Sequence, residues 1–184
     1  CRRAKVGDLP PEAVVLPSFE EVKRDRRAFA EAFRLQHREQ DPFRGRPVVQ
    51  NQGAWYVVQN PPSMPLSTEE MDWIYELPFR REPHPGYDER GGVPSIEEVR
   101  FSITAHRGCF GSCSFCSISS HQGRIIQARS DASILREAGL LTELPGFKGY
   151  IHDVGGPTAN FHSPACSAQS ARGSCPDRDC LWPE

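Results

Sequence analysis

The chain has 184 residues, enough for about one domain with a real core. Charged residues make up 25%, the formal net charge is −2 and no long apolar run occurs, so a membrane-spanning helix is excluded and nothing favours a nucleic-acid partner. Seven cysteines, an odd number with no signal peptide before them, argue against a disulfide framework and for reduced, metal-binding thiols in a cytoplasm.

In chain order, residues 1–17 carry Pro10-Pro11 and Pro17 and read as an extended linker with a short strand over 13–16. Ser18-Phe-Glu-Glu21 is a capping box, so a helix is expected from there to about residue 39, burying Phe19, Val22, Phe29 and Phe33 as one stripe. The charged tract Lys23-Arg-Asp-Arg-Arg27 then lies on its solvated face. Asp41-Pro42 ends that helix. The runs 47–50 and 54–59 flank Asn51-Gln-Gly53 and predict a hairpin, which Asn60-Pro-Pro62 stops. Ser67-Thr-Glu-Glu70 is a second capping box, opening a helix with Met71, Ile74, Tyr75 and Leu77 before Pro78. Residues 80–92 have loop composition.

From residue 93 the character changes. Val99, Phe101, Ile103 and Ala105 alternate and predict a strand. A cysteine loop follows at once. Ser130 caps an expected helix over 131–143 with Ile134, Leu135, Ala138 and Leu141 as its buried stripe, and residues 147–154 read as a second strand closed by Gly155-Gly156-Pro157. A strand–loop–helix–strand unit should have parallel strands and a right-handed crossover. Both strands then end on one side of the sheet, the side on which α/β barrels build active sites. Two glycines there let backbone approach a ligand closely.

The loop between these elements is Arg107-Gly-Cys109-Phe-Gly-Ser-Cys113-Ser-Phe-Cys116. Thiolates are soft ligands suited to iron–sulfur clusters, zinc or copper(I). The C-x3-C-x2-C spacing matches neither the ferredoxin patterns nor the paired C-x2-C of structural zinc sites. It resembles the cluster motif of the radical S-adenosylmethionine (SAM) enzymes. That resemblance implies that Cys109, Cys113 and Cys116 hold a [4Fe–4S] cluster whose fourth iron chelates SAM, and that Phe115 lies beside the adenine. Reductive cleavage of SAM would give methionine and a 5′-deoxyadenosyl radical that abstracts hydrogen from a substrate. SAM, that unidentified substrate and an external electron donor are the implied partners. Gly155, Gly156 and Thr158 stand where such enzymes carry a Gly-Gly-Glu-like segment that holds the SAM amino group. The acidic residue is absent here, so the expected contacts are the glycine backbone, then Thr158 or Asp153.

A closer resemblance runs through nearly the whole chain. Leu16-Pro-Ser-Phe19, Asn60-Pro-Pro62, Pro65-Leu-Ser-Thr-Glu-Glu-Met71, Arg107-Gly-Cys-Phe-Gly, Gly123-Arg-Ile-Ile-Gln127 and Gly155-Gly-Pro-Thr-Ala-Asn160 occur in the order seen in the YgiQ-type radical SAM family. Members of that family are much longer, so the chain reads as a fragment. The implied fold is α/β: residues 1–92 form a helical and hairpin linker region, and 93–184 begin a TIM-like partial barrel with a cysteine-rich extension.

A second group, Cys166, Cys175 and Cys180, lies in a loop rich in Ser, Ala and Arg. It is a candidate for a second iron–sulfur cluster or a zinc ion, with His162 as a substitute ligand, because a small polar loop needs a tie to stay ordered. Three unligated thiols is the alternative. His106 and His121 flank the first motif and would complete a zinc site if it were one. His152 is a proton shuttle if it points inward and a packing residue if outward. Two other classes compete with the enzyme: a zinc-stapled binding module and an electron-transfer protein. The latter is disfavoured because the first motif lacks a local fourth cysteine.

Overall fold

Caps and glycines, more than long periodic runs, set the elements of this chain. The computed structural model describes residues 1–156, 160–176, 178, 180 and 181. The elements β1 (Arg2–Ala4), β2 (Val14–Leu16), α1 (Phe19–Arg24), α2 (Arg26–Arg38), β3 (Val48–Gln52) and β4 (Trp55–Gln59) come first. Next are α3 (Thr68–Tyr75), α4 (Ile96–Val99), β5 (Ser102–Thr104), β6 (His106–Arg107), α5 (Ile118–Gln122) and β7 (Gln127–Ala128). α6 (Asp131–Glu143), β8 (Asp153–Gly155) and α7 (Ser167–Arg172) close the series. They fall into two units that alternate along the chain: a first of residues 1–65, 110–125 and 165 onward, and a second of 66–109 and 126–164.

The first unit is built on a four-stranded sheet of order β1-β4-β3-β2. β3 and β4 form the expected hairpin, with Gly53 supplying a left-handed turn position at φ 73°. Val49 and Val58 face each other across it, both fully buried with Ala4. Burial of each valine is worth about 1.5–3 kcal/mol. β2 runs parallel to β3, and β1, which the sequence reading left in a linker, adds antiparallel to β4.

Ser18 caps α1 as expected, donating its N–H to Glu21 at 2.8 Å while its Oγ accepts from the Glu21 N–H. The single helix expected to follow is two. Asp25 adopts an extended conformation and caps α2, its Oδ1 accepting from the Arg27 N–H at 2.8 Å. A short carboxylate that satisfies an orphan helix donor competes with continuing the helix through it. On α2 the buried residue is Ala32, while Phe29 and Phe33 are exposed. The periodicity located the helix and misassigned its inward face.

In the second unit β5 and β8 pair in parallel, Ile103 opposite Val154. Phe101, Ile103 and Leu141 form the core, with Ile134, Ala138 and Phe147 packed on it. Leu135, expected in that stripe, is exposed. The strands are shorter than predicted. Val99 closes α4 instead of opening β5, and left-handed Gly146 and Gly149 keep 147–152 irregular. Ser130 caps α6, accepting from the Ser133 N–H at 3.1 Å, and is itself gripped by Asp72 of α3 through its N–H and Oγ. Burial pushes the Asp72 carboxyl upward, but those bonds and the nearby Arg129 outweigh it and hold the group below the usual aspartate range.

Candidate cofactor-binding site

β6 and β7 make a two-residue antiparallel ladder, His106 opposite Ala128 and Arg107 opposite Gln127, and so close the stem of the cysteine loop. Gly108 leaves the stem at φ 91°, a conformation that glycine adopts without strain. Cys109, at the end of the second unit's segment, is buried. Cys113 and Cys116 belong to the first unit. Ser112 precedes them at φ 49°, and the Cys116 N–H donates to the Cys113 carbonyl at 3.0 Å, so a tight turn brings these two residues together. Cys113 is exposed, Cys116 half-buried, and the Phe115 ring is 91% exposed. None of the seven cysteines forms a disulfide. Among the described residues, no three His, Cys, Asp or Glu side chains are gathered closely enough to hold a metal ion.

The second cysteine loop is tied down by protein groups. Asp41 accepts from the Ser174 N–H at 2.6 Å, and a Cβ on left-handed Gly173 would overlap its carboxylate. Gln169, fully buried on α7, donates to the Arg124 carbonyl and accepts from the Ala165 N–H. Arg124 donates to the carbonyls of Cys175 at 3.4 Å and Arg178 at 3.2 Å. Cys166, Cys175 and Cys180 lie close enough to interact electrostatically. Burial, with those neighbouring thiols, pushes the Cys180 thiol up against the pull of Arg124. Asp41, Gln169 and Arg124 thus tie this loop to the rest of its unit.

At the end of β8, Gly155 is buried and Gly156 half-buried; Thr158 lies outside the described residues. His106 is fully buried, and His162 meets it edge-on with 6.2 Å between centroids. Nε2 of His162 is engaged 3.2 Å from the Arg129 carbonyl. His121 is exposed in the last turn of α5. His152 is exposed and stacks on Tyr150, a packing role.

Sequence reasoning gave no role to Arg129, which is almost wholly buried. It donates to the Thr104 carbonyl at 3.0 Å and to Ser133 Oγ and O, pairs with Glu137, and lies 4.4 Å from the Tyr75 ring centroid. Arg81 pairs with the same carboxylate. Burial pulls both guanidinium groups below their ordinary pKa, the expected penalty for charge taken from water. Nothing in a single Arg codon position announces such burial, although the capped start of α6 beside it marks a fixed point.

Residues 3–102 match the Radical SAM N-terminal family model. A UPF0313 protein of Clostridium botulinum strain 657 is 54% identical over 179 residues, 96% of this chain and 28% of that protein. A UPF0313 protein of Methanocella arvoryzae is 54% identical over 180 residues, 98% of this chain and 30% of that protein. The chain thus spans under a third of the length of the curated relatives it matches. No solved structure matches it. These matches make the chain a radical SAM protein by class, and within that class it belongs to the YgiQ-type family, UPF0313.

Proposed function

We propose that the chain is the cluster-bearing part of a radical SAM enzyme. The observation that carries this is a C-x3-C-x2-C loop of cysteines outside any disulfide, reached through β6 just after the first strand of a parallel pair, in a chain of this family. The β5–β8 pair with α6 between its strands is what the first β-α-β unit of a TIM-like partial barrel would look like. Among the described residues no helix is long and apolar enough to cross a membrane.

The donor set suits the group. Three thiols with no disulfide partner are soft ligands, and iron–sulfur clusters are held by such thiolates. Cys109, Cys113 and Cys116 would be the ligands. When bound, the cluster supplies the electron that splits SAM into methionine and a 5′-deoxyadenosyl radical able to take hydrogen from a substrate. The chain's own residues do the remaining work. Cys109 would give a ligand shielded from solvent, and Cys113 and Cys116 would give ligands from a tight turn that leaves them at least partly exposed. The backbone of Gly155 and Gly156 offers polar groups to SAM without side-chain obstruction. Exposed Phe115 is free to cover the adenine. An external one-electron donor is required.

Electron paramagnetic resonance of the anaerobically reconstituted, reduced full-length parent, recorded with and without SAM, tests the reading. A [4Fe–4S] signal that shifts on adding SAM is expected. A cluster indifferent to SAM would make it an electron-transfer protein, and colourless protein holding zinc would make it a structural module.

A further inference from the structure

The glycine pair at the end of β8 rests on an aromatic ring. Gly155 pairs with Thr104, and its carbonyl accepts from the Ala105 N–H at 2.8 Å. His106, which follows Ala105 and opens β6, is fully buried. A Cβ built on Gly156 would overlap the His106 imidazole, meeting Nε2, Cε1 and Cδ2. Gly156 is not among the left-handed glycines of the chain, so its need for glycine is steric and not conformational. The ring sits against bare backbone, where any side chain would have to displace one or the other.

The ring is itself held. His162 packs edge-on against it at an interplanar angle of 87°. The His162 ring is engaged by the Arg129 carbonyl, and the Arg129 N–H donates to the Ala105 carbonyl at 2.9 Å. The Arg129 guanidinium is anchored in turn by Thr104, Ser133 and Glu137. A buried arginine therefore fixes a histidine, which braces a second histidine, which supports the glycine backbone.

We propose that His106 is a positioning residue for SAM: its ring sets where the Gly156 backbone stands, and thereby where that backbone meets the ligand. The proposal rests on the reading of Gly155-Gly156 as a SAM contact. It assigns the ring no proton transfer and no metal bond. Its contribution is preorganisation, which strengthens binding by removing the cost of ordering the site.

The test uses the full-length parent, anaerobically reconstituted, with His106→Ala, Gly156→Ala and the double variant. Iron content, thermal midpoint without SAM, and the SAM dissociation constant from the spectral shift of the reduced cluster are read for each. His106→Ala should keep its iron and bind SAM at least about tenfold more weakly. Gly156→Ala should also weaken SAM binding. The double variant should bind no worse than Gly156→Ala alone, because trimming the ring makes room for the added methyl. Parent-like SAM affinity in His106→Ala, or additive losses in the double variant, overturns the proposal. A lowered thermal midpoint with unchanged SAM affinity also overturns it, since that is what packing alone would give. If Gly156→Ala does not fold, His106→Ala carries the test. A parent that holds its cluster but binds no SAM overturns the underlying reading first, before any variant is made.

Discussion

In the loop that follows β6, backbone conformation does the shaping: left-handed Gly108 and Ser112 turn the chain, one turn bond joins Cys116 to Cys113, and Phe115 stands in solvent. In the loop around α7, side chains from far along the chain do it: Asp41 grips Ser174, Gln169 spans Ala165 and Arg124, and Arg124 holds the carbonyls of Cys175 and Arg178. Both loops carry three cysteines outside any disulfide. The lesson is that two loops with the same cysteine count can be shaped by different means, one by backbone turns and the other by distant side chains.

The sharpest way to break this contrast is Cys113→Ala in the full-length parent, which should abolish cluster assembly and SAM cleavage outright, as iron analysis and product assay would show. Next in size, chelation of the reconstituted protein should speed amide exchange across 109–117 severalfold or more and leave 173–176 unchanged. Equal acceleration in both loops would erase the distinction. Asp41→Ala should act the other way. It leaves the Ser174 N–H without its acceptor, costs the second loop about 1–3 kcal/mol, and speeds exchange there while iron content stays at the parent level.

Acid should do the same more gently. Glu39 holds Arg46 at both its N–H and its guanidinium, closing the turn that carries Asp41. The Arg46 bonds hold the Glu39 carboxyl below the usual glutamate range against its partial burial. A depressed folded value means stability that is present above the ordinary carboxylate pKa and lost as pH falls through the lowered one. Protection of the amides at 173–174 in metal-free protein, corrected for the intrinsic pH dependence of exchange, should therefore fall as pH drops below the ordinary glutamate range, and Glu39→Gln should remove that dependence. The smallest effect belongs to Cys180→Ala, which should spare the first cluster entirely.

What was local in the sequence was legible. The capping serines at 18, 67 and 130 each make their bond, the Asn51-Gln-Gly53 turn makes its hairpin, and the strands around α6 are parallel. What depends on distant partners was not. Phe29, Phe33 and Leu135 have helical spacing, but spacing cannot say which face a neighbour covers. The tie between Asp41 and Ser174 joins residues 133 apart, and neither carries a local signature. Of the candidate site, the thiols and the glycines could be read directly; the His106 support beneath Gly156 is a packing fact that no motif encodes.

The two-rung ladder of β6 and β7 also bears on how such a loop could diverge. With its ends already joined, lengthening the excursion between them costs only about 0.6 kcal/mol for each doubling. The stretch between the ladder strands is thus a place where insertions, deletions and altered ligand spacing can accumulate cheaply, while the strands on either side keep their register.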